Sequence, residues 1–246
     1  MEAAKSMKKM QLEMGSKNPL VVMDDADLNI AVACATNGAY GGTGQKCTAS
    51  SRLIVHEKVY KEFTEKLIES ISALKVGHAL EEGSQMGPVS SETQLQSNLD
   101  YIEVGKKEAK LAYGGNPMNM RTPGYYMEPT LFIDGDNKST INQEEMFGPI
   151  ACVIPVKSYE EGLEVANDTI FGLSSGIVTQ SLSKAADFKK NIKTGVTTVN
   201  LPTAGLDYHV PFGGRKASSF GPREQGTYAH EFYTHVKTTY VSPGKI

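Results

Sequence analysis

Pro19-Leu-Val-Val-Met-Asp-Asp-Ala-Asp-Leu-Asn-Ile-Ala-Val-Ala-Cys-Ala-Thr-Asn-Gly-Ala39 decides the fold. Leu20 to Met23 is a short apolar run that reads as a buried strand. It ends at Asp24-Asp25-Ala26-Asp27, and short carboxylates suit the free N–H groups and positive end of a helix start. Leu28 to Ala39 then carries Leu28, Val32, Ala35 and Ala39 at helical spacing. The same strand-then-helix alternation continues outward from this unit. Ser51–His56 reads as a strand and Glu57–Leu74 as a helix with apolar Val59, Phe63, Leu67 and Ile71. A helix from Ser91 to Lys107 and strands around Leu111, Thr130–Ile133 and Ile150–Val156 follow. Then come helix Tyr159–Asn167, strand Ser175–Thr179, helix Ser183–Asn191 and strand Gly195–Asn200. A last strand, rich in Thr, Tyr and Val, is expected over His235–Val241. Upstream, Glu2–Lys9 reads as the back half of a helix and Met10–Glu13 as the strand it leads into. The class is α/β with an open twisted sheet. Pro202–Gly226 interrupts the alternation: it is rich in glycine and proline and has no periodicity, and long loops in compact domains are usually functional.

Composition narrows the function. The 246 residues include 28 acidic and 25 basic side chains, a formal charge of -3. That near-balance argues against nucleic acid or an anionic membrane held by bulk electrostatics. No apolar run approaches the roughly 18 residues of a membrane span, and the first residues lack the apolar core of a signal peptide. Three cysteines, an odd number, fit a reducing cytoplasm better than a disulfide scaffold. The cysteines are widely spaced and the five histidines scattered. His230 and His235 would fall on different faces of a helix, so no metal site is expected.

Gly41-Gly-Thr-Gly-Gln-Lys-Cys-Thr-Ala49 is the most informative window for chemistry. Its glycines let backbone approach a ligand closely, and Thr48-Ala49-Ser50 suits the opening turn of a helix. A thiol at a helix N-terminus has a lowered pKa, and its N–H can face a developing oxyanion. The plain alternative is a small apolar cysteine buried in a turn. Cys34, among alanines on a helix, and Cys152, beside Ile150 and Val153 in a strand, read as core. A nucleophilic thiol needs a base or a water activator. Glu13 ends a strand just before a glycine turn, where α/β folds place chemistry. Alone it reads as solvated surface; the pairing matters only where Glu13 and Cys47 meet in space.

Several motifs occur in order: Leu12-Glu13-Met-Gly15-Ser-Lys17-Asn-Pro19, Gly44-Gln45-Lys-Cys47-Thr48-Ala and Glu144-Glu145-Met-Phe147-Gly148-Pro149. Asn200 at a strand end and Pro211-Phe212-Gly213-Gly214-Arg-Lys216 complete the set. Together they closely resemble the NAD(P)-dependent aldehyde dehydrogenase superfamily over essentially the whole chain. The resemblance implies that Cys47 attacks an aldehyde to give a thiohemiacetal, which becomes a thioester after hydride transfer to NAD or NADP. It implies that Glu13 activates the water that releases a carboxylic acid. Glu145 resembles the glutamate that bonds the nicotinamide ribose, Phe147 the aromatic beside the ring, and Gly15 is placed at the cofactor. Asn200, the loop to Pro211, and Phe212 resemble the lining of the aldehyde entrance. The strand His235–Val241 resembles a segment that pairs with a neighbouring subunit in a dimer or tetramer.

The sequence departs from the family pattern in places. Ser16 and Ser219 stand where the family commonly has glycine, and Pro222 is one extra residue before Arg223-Glu224. The run Asp207–Lys216 with Phe220–Gly226, and Lys46 before Cys47, look most like the branch acting on α-ketoglutaric semialdehyde (2,5-dioxovalerate). Family members are roughly twice this length, and no phosphate-binding glycine turn leads into a helix. The expectation is therefore a C-terminal half. Residues 1–18 would be a remnant of the cofactor domain, 19–214 the catalytic domain, and 215–246 a return segment with an oligomerisation strand. Such a chain is expected to act with a second copy or a complementary N-terminal half, and to show no NAD-dependent oxidation alone. Two other readings stay open: a cofactor-independent thiol esterase, and a non-catalytic oligomerising fragment.

Overall fold

Leu20, Val21, Val22 and Met23 are all buried, and a strand with no wet face must be covered by helices on both sides. The computed structural model, which describes residues 2–244, has that arrangement. The chain opens with α1 (Glu2–Lys5), β1 (Leu12–Glu13), β2 (Asn18–Val22), α2 (Leu28–Tyr40), β3 (Ser50–His56) and α3 (Glu57–Ser72). It continues with α4 (Glu92–Glu108), β4 (Lys110–Tyr113), β5 (Pro117–Met118), β6 (Tyr126–Met127), β7 (Thr130–Ile133) and α5 (Thr140–Gln143). The remainder is β8 (Ile150–Val156), α6 (Tyr159–Asn167), β9 (Ser174–Val178), α7 (Leu182–Asn191), β10 (Val196–Val199), β11 (Ser219–Phe220) and α8 (Ala229–Tyr233).

Seven strands form the central sheet in the order β10-β9-β2-β3-β8-β7-β4. Neighbours run parallel except β4, which is antiparallel to β7 at one edge. Side chains alternate between the faces. Leu20, Val22, Leu53 and Val55 pack with Ala35 of α2 and with Phe63 and Leu67 of α3. Val21, Ile54 and Ile154 pack on the other face with Ala166 of α6 and Phe188 of α7. A third cluster joins Ile102 of α4 to Phe132, Ile150 and Cys152. The helix starts follow their capping chemistry: the Asp27 carboxylate accepts from the N–H groups of Asn29 and Ile30. Ser91, Ser158 and Ser181 cap α4, α6 and α7 in the same way. Cys34 and Cys152 are buried in the core, as their apolar neighbours imply.

Three expectations change. Thr48-Ala49-Ser50 leads into strand β3 rather than opening a helix. At the start, α1 and β1 are shorter than read, because only Leu12 and Glu13 find ladder partners, in Phe220 and Ser219. His235–Val241 is irregular, with Val236 98% and Tyr240 95% exposed. A strand needs a partner for its ladder, and these residues find none among the described residues. Among the described residues, no helix is long and apolar enough to cross a membrane.

Candidate active site

Cys47 sits in the turn between a tight 3-10 segment, Gly41–Gly44, and β3. Gly42, Thr43 and Gly44 all have left-handed φ values, of 63, 61 and 65°. A Cβ on Gly44 would lie 2.2 Å from the Gly148 carbonyl oxygen, so only glycine lets the two loops touch. Because no helix begins at Cys47, no dipole acts on the thiol, and the lowered pKa expected for it does not arise. Burial pushes the thiol pKa up, and the negative charges of Glu13 and Glu145 push it further. The N–H groups of Cys47 and Thr48, against the sulfur, partly oppose them. The charges of both carboxylates singled out from the sequence thus act on the same thiol.

Side chains remote in sequence hold this turn. Asn18 Nδ2 donates to the carbonyls of Cys47 and Ala49, both at 2.8 Å. Thr203 Oγ1 donates to the Thr48 carbonyl at 2.7 Å. Neither residue was singled out from the sequence; Asn18 lies inside a quoted motif, but its partners are visible only in the fold. Lys17, its neighbour, is buried, and desolvation followed by the Arg52 charge lowers its pKa to about 7.

Glu13 is positioned by a two-stranded ribbon. Antiparallel β1 and β11 set Glu13 opposite Ser219, whose hydroxyl donates to Glu13 Oε2 at 2.8 Å. The same hydroxyl accepts from the Gly214 N–H at 2.6 Å. Arg223 donates to the Gly214 carbonyl, and Phe212 and Glu224 exchange backbone hydrogen bonds of 2.7 and 2.8 Å. The segment from Phe212 to Glu224 therefore folds back over Glu13. Burial raises the Glu13 pKa, the Ser219 hydroxyl opposes that, and Glu224 raises and Arg223 lowers it further. A carboxylate moved toward neutrality is a better proton acceptor than a solvated one.

Cys47 opens into a groove of about 460 Å³, walled by Gln45, Lys46, Thr48, Gly205, Leu206, Phe212 and Gln225. Phe212 is thus brought to the thiol. Asn200 is not on the groove wall: its amide pairs with the backbone N–H and carbonyl of Thr179, at 3.0 and 3.1 Å. Its left-handed φ of 54° ends β10 and turns the side chain back along β9.

On the other side of the Cys47 turn, Glu145 Oε1 accepts from the Ser16 N–H at 2.9 Å. A Cβ on Gly15 would lie 2.2 Å from Glu145 Oε2, which explains a glycine there. Phe147 is 38% exposed and has a left-handed φ of 52°, so its ring is displayed rather than packed in the core. Gln94 ties down the loop by donating to the carbonyls of Met146 and Phe147, each at 3.1 Å. Ser16, Gly44, Glu145, Phe147 and Gly148 border a small cavity of about 20 Å³.

The loops at the strand ends of this mixed α/β sheet thus gather a thiol, two carboxylates and a displayed aromatic. Residues 1–239 match the aldehyde dehydrogenase family, and the chain belongs to that family. Among its relatives is the α-ketoglutaric semialdehyde dehydrogenase of Bacillus subtilis, 44% identical over 238 residues, 96% of this chain and 49% of that protein. The α-ketoglutarate semialdehyde dehydrogenase of Haloferax volcanii is also 44% identical, over 98% of this chain and 50% of that protein. The NAD+ complex of an aldehyde dehydrogenase from Bacillus cereus superposes with a TM-score of 0.94 at 36% identity. That match covers 99% of this chain and 49% of the other. The chain spans about half the length of these relatives.

Proposed function

We propose that this chain carries the acyl-forming and acyl-hydrolysing machinery of an aldehyde dehydrogenase, with Cys47 as nucleophile and Glu13 as general base. The observation that carries the reading is that Phe212 and Cys47, far apart in sequence, wall one groove, while Glu13, packed beside Gly213, lies near enough for its charge to raise the Cys47 pKa. Burial and the two carboxylates keep the Cys47 thiol protonated at rest. Its proton must therefore leave to solvent as sulfur attacks the aldehyde carbon, and the Glu13 carboxylate, with its raised pKa, stays free to act as base on the later water. The Cys47 N–H faces the oxyanion of the resulting thiohemiacetal. Once a thioester has formed, Glu13 takes a proton from water, hydroxide adds to the acyl carbon, and the thiolate departs. A thiolate leaves readily, which is the chemical reason for cysteine here.

The residues around Glu145 fit one end of a nicotinamide dinucleotide. A carboxylate acceptor matches a ribose diol, the bare Gly15 allows close approach, and the displayed Phe147 ring matches a flat heterocycle. In an enzyme completed by the cofactor-binding half, NAD or NADP held there would supply the hydride acceptor for the oxidation; this chain alone is not expected to bind it. The aldehyde is α-ketoglutaric semialdehyde or a similar carboxylate-bearing one, consistent with the named relatives and with Lys46 on the groove wall. The exposed segment His235–Val241 is available to pair with a second copy, and a complementary N-terminal half is the other partner for a cytoplasmic enzyme of this kind.

A second reading, thiol esterase, is favoured by the fact that acyl transfer to Cys47 draws only on residues of this chain. Hydrolysis of p-nitrophenyl acetate tests the core of both. A burst followed by slower turnover is expected, lost in Cys47→Ala, with Glu13→Gln keeping the burst and losing turnover. Equal rates in wild type and Cys47→Ala would remove the nucleophile.

A further inference from the structure

We propose that Asn18 is a positioning residue for the nucleophile: by holding the Cys47 carbonyl it aims the opposite end of that peptide, the Thr48 N–H, at the Cys47 sulfur. The inference rests on the reading of Cys47 as nucleophile. Asn18 opens β2 and is 1% exposed. Its Nδ2 donates to the carbonyls of Cys47 and Ala49, both at 2.8 Å. Its Oδ1 accepts from the Ser174 N–H at 2.9 Å and from the Ser16 hydroxyl at 2.7 Å. Those four bonds saturate the amide, so the side chain has one orientation and cannot rotate without leaving buried polar atoms unpaired.

The consequence runs through peptide geometry. In a trans peptide the C=O and the following N–H point in opposite directions within one plane. Fixing the Cys47 carbonyl therefore fixes the direction of the Thr48 N–H, which together with the Cys47 N–H favours the thiolate and lowers the thiol pKa. Donation to the carbonyl also polarises the peptide and strengthens that N–H. Thr203 holds the next carbonyl independently, at 2.7 Å, so the turn keeps its path when Asn18 alone is changed. The thiol faces the negative charges of Glu13 and Glu145, and Lys46 lies beside it on the groove wall. The backbone donors counter the two carboxylates when the thiolate forms.

The test is the pH dependence of Cys47 alkylation by iodoacetamide, followed by peptide mass mapping in wild type, Asn18→Ala and Asn18→Ser. Asn18→Ala is expected to move the Cys47 midpoint up by about half a pH unit or more. Cys34 and Cys152 should stay unreactive, as buried core thiols. Asn18→Ser, which keeps one short donor, should fall between, and it carries the test where Asn18→Ala does not fold. An unchanged Cys47 midpoint in the folded variants overturns the proposal. So does a variant whose only change is exposure of Cys34 and Cys152, because that is loss of packing without loss of aim. A Cys47 that reacts at no pH in wild type would sink the nucleophile reading and this inference with it. A failure confined to Asn18 leaves the wild-type reaction intact.

Discussion

Ser219→Ala removes the hydroxyl that donates to Glu13 Oε2 at 2.8 Å and accepts from the Gly214 N–H at 2.6 Å. A hydrogen bond to a charged group contributes about 1.5–3 kcal/mol when buried. Glu13 is only half-buried, so water replaces part of the lost bond, and a net effect of about 1 kcal/mol is appropriate. At 1.36 kcal/mol per pH unit this is a rise of roughly 0.7 units in the Glu13 pKa. The direction is set by the balance at the site. Burial and Glu224 already raise this pKa, and without Ser219 only Arg223 opposes them. The assay is a carbon-13 NMR titration of the glutamate side-chain carboxyls, with the Glu13 signal assigned by its loss in Glu13→Gln. Ser219→Thr is the control: the backbone at this position, φ -152° and ψ 150°, suits threonine, and the hydroxyl is retained. Its midpoint should stay near wild type. A Ser219→Ala midpoint that is unmoved, or lower than wild type, would refute the reasoning.

Glu13→Gln should stabilise the fold near neutral pH by a few tenths of a kcal/mol. The folded pKa lies above the ordinary carboxylate value of 4.5, so the native state holds its proton longer and stability falls as pH rises from 4.5 through the raised value. Urea unfolding of wild type and variant should therefore agree at low pH and separate at pH 7. The same substitution removes a charge that raises the Cys47 pKa, so the alkylation midpoint of Cys47 should fall. Gly44→Ala should cost about 3 kcal/mol in urea unfolding, because its φ is 65° and its Cβ would lie 2.2 Å from a backbone oxygen. Lys46→Met should lower the rate of Cys47 alkylation by anionic iodoacetate relative to neutral iodoacetamide by roughly two- to fivefold, in line with the charge on the groove wall. An unchanged ratio would take Lys46 out of substrate recognition.

The elements were legible where one physical rule dominates. Leu20–Met23 is apolar on both faces because helices cover both, and Asp24–Asp27 marks a helix start because the Asp27 oxygen takes up free N–H groups. The turn at Cys47 was harder. Thr48-Ala49-Ser50 carries the residues of a helix start, yet the backbone there is held by Asn18 and Thr203, partners that only the folded chain brings near. The thiol pKa followed the same error, since without a helix the nearby carboxylates and burial decide its sign. Ser219 was visible as a departure from a family glycine, while its bond to Glu13 depends on the β1–β11 pairing across more than 200 residues. His235–Val241 has the composition of a strand, but composition supplies no partner.

Acylation mapped by mass spectrometry tests the central claim most directly. The chain is treated with p-nitrophenyl acetate, digested, and the acetyl group located, in wild type, Glu13→Gln and Cys47→Ala. One acetyl group on Cys47, persisting in Glu13→Gln, short-lived in wild type and missing from Cys47→Ala, is the predicted result. An acetyl group that forms equally on other residues in Cys47→Ala, or that clears from Cys47 as fast in Glu13→Gln as in wild type, would contradict it.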